Sequence, residues 1–213
     1  MDTLKFIIDI FLHLDKHLAE VINQYGTLTY AMLFLVIFVE TGLVIMPFLP
    51  GDSLLFAIGT FCALGALDIW LSIALLLVAA IVGDSVNYSI GRRLGERAYN
   101  VRWINKNHLL EAEAFFARHG GKTIILARFV PIVRTFAPFI AGMGKMSYQS
   151  FLAYNVIGGV AWVVGLTMAG FLFGNIPVVK ANFEFVILGI IGISVLPIAI
   201  EWLKAKRKKP SPA

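Results

Sequence analysis

Four ionisable residues stand where ionisable residues are costly. Glu40, Asp52, Arg128 and Arg134 lie within or beside breaks in long apolar segments. Placing such a charge at the centre of a bilayer costs roughly 3 kcal/mol or more, so it pairs with another charge or lines a pathway. Two acids in one broken segment and two arginines in another are complementary. One reading is structural: buried ion pairs that pin the segments together. The other divides the labour. Arginine stays charged and grips phosphate oxygens with a fork of N–H groups, which makes Arg128 and Arg134 candidates for substrate binding. A buried carboxylate can exchange protons in the working pH range, which makes Glu40 and Asp52 candidates for proton coupling. Such a set can exchange an anionic headgroup for protons. A mixed case has one pair structural and one functional. Asp84 and Asn87, one turn apart in an apolar run, form a second tier; a helix cap or inter-helix hydrogen bond explains them equally well.

Other chemistry has little support. There is no Ser/His/Asp set, no phosphate-binding glycine loop and no His-Glu-x-x-His pattern, so no catalytic residue is assigned and no enzyme is expected. His13 and His17 have a spacing that suits a metal, but they sit on the wet stripe of an amphipathic segment, and no metal or cofactor is expected. His108 and His119 read as loop or helix-end residues. The single Cys62 excludes an internal disulfide and a cysteine cluster. Gly158-Gly159 and Gly165-x4-Gly170 read as sites of close helix packing.

The elements that position these residues follow from the apolar pattern. Of 213 residues, 59% are hydrophobic and 15% charged, whereas a soluble domain carries about a quarter charged residues. The excess apolar surface has to face lipid. Residues 4–22 are amphipathic, with Leu4, Ile7, Ile8, Phe11, Leu14, Leu18 and Ile22 at helical spacing, and predict an interfacial helix. The start carries Asp2, Asp9 and Asp15 and lacks the pattern of a cleavable signal peptide. Residues 28–66 are apolar but broken by Glu40 and by Pro47-Phe48-Leu49-Pro50-Gly51-Asp52, which predicts a re-entrant hairpin turning near Pro50. Residues 69–91 predict a full span, since about 20 residues cross the roughly 30 Å core. A basic loop, 92–107, leads to a short amphipathic helix, 108–119. Residues 122–146 repeat the broken pattern, with Pro131 and Pro138 in the run and Gly142 and Gly144 at its close. Residues 148–173 and 184–203 predict two more spans, and 204–213 a basic tail.

The net charge of +5 invites a nucleic-acid reading that its distribution rejects. Residues 1–91 hold only Lys5 and Lys16; the rest concentrate between Arg92 and Lys122 and in the tail. Such loops mark the cytoplasmic side, so both clusters, and the C-terminus, are expected there. Self-association into a homo-oligomer is open to such a chain.

The two broken segments are related. Phe56-Ala57-Ile58-Gly59 matches Phe139-Ile140-Ala141-Gly142 at an offset of 83, which also pairs Tyr88-Ser89-Ile90-Gly91 with Phe171-Leu172-Phe173-Gly174. Upstream, an offset of 94 pairs Val39-Glu40-Thr41 with Val133-Arg134-Thr135. Repeats at 1–91 and 92–174 within one membrane domain, 1–213, follow. One span separates the hairpins, so they enter from opposite sides: an inverted repeat with its site where the broken elements meet. The expected fold is an all-α membrane protein with two re-entrant hairpins, about three full spans and interfacial helices.

The motifs resemble the DedA family of bacterial inner-membrane proteins, the SNARE-associated or VTT type. They are Glu40-Thr41-Gly42, Phe48-Leu49-Pro50-Gly51-Asp52-Ser53-Leu54-Leu55, Gly83-Asp84-x-x-Asn87-Tyr88, Gly120-Gly121-Lys122, and Arg128-Phe129-x-Pro131-x-x-Arg134-Thr135-Phe136-Ala137-Pro138-x-x-Ala141-Gly142. The resemblance implies re-entrant hairpins and lipid translocation, with the family's essential acids and arginines falling on Glu40, Asp52, Arg128 and Arg134. It further implies, as lipid partner, the return of undecaprenyl phosphate across the membrane, and suggests coupling to protons. Three alternatives are kept: a phospholipid scramblase with the same cavity, a membrane scaffold whose ion pairs are structural, and a cation or drug exporter.

Overall fold

A computed structural model of the chain describes residues 14–43, 51–95, 116–144, 146–174 and 176–182, together with 110, 114, 185, 186, 188–190 and 192. The first part of the amphipathic segment with His13, the turn near Pro50, most of the basic loop with His108, the tail, and much of the span expected over 184–203 lie outside the described residues.

Among the described residues all regular structure is helical. Helix α1 (Leu14–Tyr25) leads into α2 (Leu28–Gly42), α3 (Gly51–Ala63) and the long α4 (Ile69–Leu94). A 3₁₀ turn, Gly120–Lys122, opens onto the short α5 (Thr123–Ala127), followed by α6 (Pro131–Met143), the long α7 (Tyr148–Phe173) and the short α8 (Pro177–Ala181). The sequence reading has no counterpart of α8. Residues 116–119 are helical, as expected for the end of the 108–119 helix.

Local chemistry explains these boundaries. Asp68 caps α4, accepting from the backbone N–H of Leu71 at 2.7 Å, and Arg92 and Arg93 in the last turn complement the helix dipole. Gly95, with φ +50°, ends the helix in a conformation that glycine adopts at little cost. Ser147 caps α7 by accepting from Ser150 N–H at 3.3 Å. Pro131 occupies the first turn of α6, where its missing N–H is harmless. The break in the second hairpin therefore falls at 128–130, and Pro138 lies inside α6 rather than at a turn.

Helices α4 and α7 are each 26 residues, long and apolar enough to cross a membrane. Each buries one face and exposes the other. On α4, Leu71, Val78, Val82 and Val86 are exposed at helical spacing while Leu76, Ala79, Ala80, Asp84, Asn87 and Tyr88 are buried. An apolar stripe turned outward on an otherwise packed helix suits contact with lipid.

Two apolar clusters lie along α4 and α7. The first gathers Leu33, Ile37, Leu55, Ile58, Leu76, Ala79, Trp162 and Val163; the second gathers Tyr88, Ile124, Val133, Phe136, Phe139, Ile140 and Phe151. Because α4 meets the first cluster through Leu76 and the second through Tyr88, while α7 meets them through Val163 and Phe151, the two long helices run antiparallel.

The short helices cross between halves through bare backbone contacts. On α3, Gly59 faces the Thr167 carbonyl and Phe171 N–H of α7, and Gly170 of α7 faces the Phe56 carbonyl. On α6, Gly142 faces the Tyr88 carbonyl and Arg92 N–H of α4, and Gly91 of α4 faces the Phe139 carbonyl. A side chain at any of these positions would separate the helices. The short helices thus correspond at the offset of 83 read from the sequence, but their partners on the long helices, 88 against 167 and 91 against 170, correspond at 79. The difference of four residues is about one helical turn. The offset of 94 relates different elements, since Val39–Thr41 closes α2 and Val133–Thr135 opens α6. Among the described residues Gly165 has no neighbour within 4 Å of its missing side chain, so there, of Gly165 and Gly170, it is Gly170 that packs.

Candidate functional site

Between the two apolar clusters lies a group of buried charges, drawn from α2, α3, α4 and α6 and from the turn after α5. Asp84 stands about 4 Å past the midpoint of α4. Glu40 ends α2, Asp52 begins α3, Arg128 follows α5, and Arg134 lies in the first turns of α6. Apart from Asp84, which lies within an unbroken helix, each charged residue stands where a helix ends or starts, and this brings it to the interior.

Arg134 holds two acids, Glu40 from α2 and Asp52 from α3. Its Nη2 donates to Glu40 Oε1 at 2.5 Å and its Nη1 to Asp52 Oδ1 at 2.6 Å. Gly51 opens α3 directly against the Glu40 carboxylate, which fills the space a side chain at 51 would need. Glu40 therefore sits at a helix N-terminus, where the dipole favours an anion. Asp52 is the more open of the two: its side chain is 18% exposed against 3% for Glu40.

Arg128 forms a second ion group. Its Nη2 donates to Asp84 Oδ2 and to Asn155 Oδ1, the latter at 2.5 Å. Asn155 is oriented by its own Nδ2, which donates to the Ile81 carbonyl at 3.1 Å. Gly158 makes room for the Arg128 stem, whose Cδ and Nε would lie 3.2 Å from a side chain there. Arg128 is only 2% exposed, yet among the described residues its Nε and Nη1 have no hydrogen-bond partner. Uncommitted donors on a buried cation are costly, and they are the groups that an incoming oxyanion satisfies.

Asn87 ties the halves together without charge. Its Nδ2 donates to the Thr41 carbonyl at 3.2 Å and to the Thr135 carbonyl at 2.8 Å. The first of these is one of the carbonyls that the end of α2 leaves without an intrahelical partner.

Comparison with known proteins decides the family. Residues 49–172 match the VTT domain. The chain is 54% identical over 212 residues to Protein DedA of Escherichia coli (strain K12), covering 97% of each. The chain belongs to the DedA family. It is also 45% identical over 185 residues to an uncharacterised membrane protein of Mycobacterium leprae (strain TN), covering 84% of this chain and 83% of that protein. With Inner membrane protein YqjA of E. coli (strain K12) it shares 38% identity over 152 residues, 70% of this chain and 69% of the other. No solved structure matches. Together with its apolar helices, these relatives make this DedA-family chain a membrane protein.

All four first-rank residues meet in one region, but not in the pairing that two acids and two arginines suggest. Both acids go to Arg134, and Arg128 takes Asp84 from the second tier. Asn87 fits the plain alternative, an inter-helix hydrogen bond. Two residues of the site were missed. Asn155 was open to the same argument as Asn87, a lone amide in an apolar run. Trp162 carries no sign in sequence that separates it from an ordinary core tryptophan. His17 lies 3.8 Å from Glu20 on an open face of α1, as its stripe suggests.

Proposed function

We propose that this protein translocates a lipid-linked phosphate across the bacterial inner membrane, with protons moving in exchange, and that Arg128 is its anion-binding group. The observation that carries this is the pair of uncommitted donors on the buried Arg128 guanidinium, at the meeting point of two broken helix pairs. Undecaprenyl phosphate is the substrate the family resemblance implies. Its headgroup needs a cation inside the membrane and its tail needs lipid alongside, and the apolar outer stripes of α4 and α7 suit the tail.

Charge supports the proton. The region holds two arginines against Glu40, Asp52 and Asp84, one negative charge in excess when all are ionised. A phosphate that enters adds more. In a medium of low dielectric this is unfavourable unless carboxylates take up protons as it arrives. Asp84 therefore joins Glu40 and Asp52 among the proton-coupling candidates. No covalent chemistry is invoked, so the role is transport and not catalysis. Each half forms a re-entrant hairpin followed by a span, the halves are inverted, and the basic end of α4 is cytoplasmic, as is the C-terminus.

Arg134 fits the structural reading better. Both of its terminal nitrogens are taken by acids, so it pins the hairpins and its loss threatens the fold.

The test replaces the second ion group by a neutral one of similar shape, Arg128→Gln with Asp84→Asn, in phospholipid nanodiscs. The expected result is a folded protein whose undecaprenyl phosphate binding falls at least about tenfold, with phosphatidylcholine binding unchanged. Undiminished phosphate-lipid binding by the folded double variant sinks the assignment. Equal transport of neutral-headgroup lipids by the unaltered protein would favour an unselective scramblase.

A further inference from the structure

Trp162 is where the two ion groups meet. The guanidinium carbon of Arg134 lies 4.9 Å from the centroid of its ring, and that of Arg128 lies 5.6 Å away. At such distances the indole quadrupole attracts a cation. The ring's Nε1–H donates to Asp52 Oδ1 at 2.7 Å, the same oxygen that accepts from Arg134 Nη1. Trp162 is 1% exposed, so its N–H has no water to turn to if that oxygen is withdrawn. The charged groups around it come from every neighbouring element: Glu40 from α2, Asp52 from α3, Asp84 from α4, Arg128 after α5 and Arg134 from α6. The indole meets Asp52 through its N–H and Arg128 through its face, and so links the two.

We infer that Trp162 is a positioning residue that couples the ionisation of Asp52 to the placement of Arg128. The inference rests on the reading of Arg128 as the anion-binding group. Asp52 is the more open acid and the one that reaches outward for a proton. While ionised, its Oδ1 serves two donors. On protonation that oxygen becomes a poorer acceptor, the indole N–H bond loosens, and the ring shifts on its axis. The face offered to Arg128 changes with it, and the guanidinium is freed toward a phosphate. Coupling is reciprocal, so an anion that draws Arg128 off the ring also alters how firmly Trp162 holds Asp52. No covalent bond forms or breaks; one proton moves onto the Asp52 carboxylate.

The test uses the full chain with Trp162 as its sole tryptophan (Trp70→Phe, Trp103→Phe and Trp202→Phe) in phosphatidylcholine nanodiscs. Emission is followed between about pH 4 and 9, without lipid phosphate and then with undecaprenyl phosphate added. The emission is expected to change through one midpoint. Asp52→Asn, which keeps an acceptor oxygen but cannot titrate, abolishes the change. Asp84→Asn touches Arg128 and not the ring, and it displaces the midpoint by at least about 0.5 pH unit, as coupled sites do. An emission insensitive to pH overturns the inference. So does a response that survives Asp52→Asn, or a midpoint indifferent to Asp84→Asn. Trp162→Phe keeps a ring over both cations and drops only the N–H; its lipid-phosphate binding is expected to lose its pH dependence while the protein still folds. Retained pH dependence counts against the coupling. The pH arm needs no ligand, so an intact pH response with no binding of undecaprenyl phosphate strikes the functional reading alone.

Discussion

Glu40 closes the first helix of one broken pair and Arg134 opens the second helix of the other, and they join across the interior at 2.5 Å with Asp52 held by the same guanidinium. A single arginine of α6 therefore joins α2 and α3. Arg134→Ala removes the cation that Glu40 and Asp52 share, and Glu40 is wholly enclosed. Removing one partner of a buried pair costs about 3–5 kcal/mol. The expected outcome is a large fall in thermal stability in detergent, read as loss of the monodisperse species on heating. The sequence reading instead makes Arg134, with Arg128, a candidate for substrate binding. A variant as stable as the parent would show that Arg134 does not pin the hairpins.

Asn87 offers a gentler probe of the same junction. Asn87→Leu retains bulk and removes the donor to the Thr41 and Thr135 carbonyls. Leaving buried carbonyls with fewer partners costs about 1–3 kcal/mol. Asn87→Asp puts an unpaired charge in the same place and is expected to be the worse of the two. Equal stability of the two variants, compared by denaturation in detergent, would mean that the amide is not buried as described.

Most of this architecture was legible because a membrane punishes the exceptions that proteins make. Charges and prolines in apolar runs are rare enough to point to the site, so Glu40, Asp52, Arg128 and Arg134 could be named from type and spacing. The pairing was not legible. It depends on which rotation of α4 turns Asp84 inward, and Asp84 faces Arg128 because Gly83 lets α2 lie against α4 at Thr41. The seating of the short helices was not legible either. Gly59 and Gly142 match in sequence, but the one-turn difference in how they seat on the long helices arises from packing and leaves no trace in a local match.

Sidedness can be tested on described, exposed residues. Ala66 lies in the turn between α3 and α4, while Gln149 lies in the first turn of α7. The Tyr88 hydroxyl donates to the Met146 carbonyl, so the start of α7 sits by the basic end of α4. At about 1.5 Å per residue the 26 residues of α4 cover roughly 39 Å, enough to part the two turns across a bilayer. In a Cys62→Ala background, a membrane-impermeant maleimide is expected to label Ala66→Cys in intact cells. It should label Gln149→Cys only after permeabilisation. Labelling of both from outside would remove α4 as a span and the inverted arrangement with it.

The glycine crossings give the sharpest test of how the short helices seat. At Gly142 an added side chain meets the Tyr88 carbonyl and the Arg92 N–H, both backbone, so no flexible group can yield. Gly142→Val forces α6 from α4, and overpacking of this kind costs about 1–3 kcal/mol, with more where backbone meets backbone. Gly59→Val should do the same to α3 and α7, where the Thr167 carbonyl and Phe171 N–H stand in the way. Gly165→Val is the control. It lies on α7 with nothing within 4 Å, so the change should stay within about 0.5 kcal/mol. Thermal denaturation of the three variants side by side checks the geometry. If Gly165→Val proves as harmful as Gly142→Val, close backbone contact does not govern these positions, and the seating of α3 on α7 and of α6 on α4 is wrong.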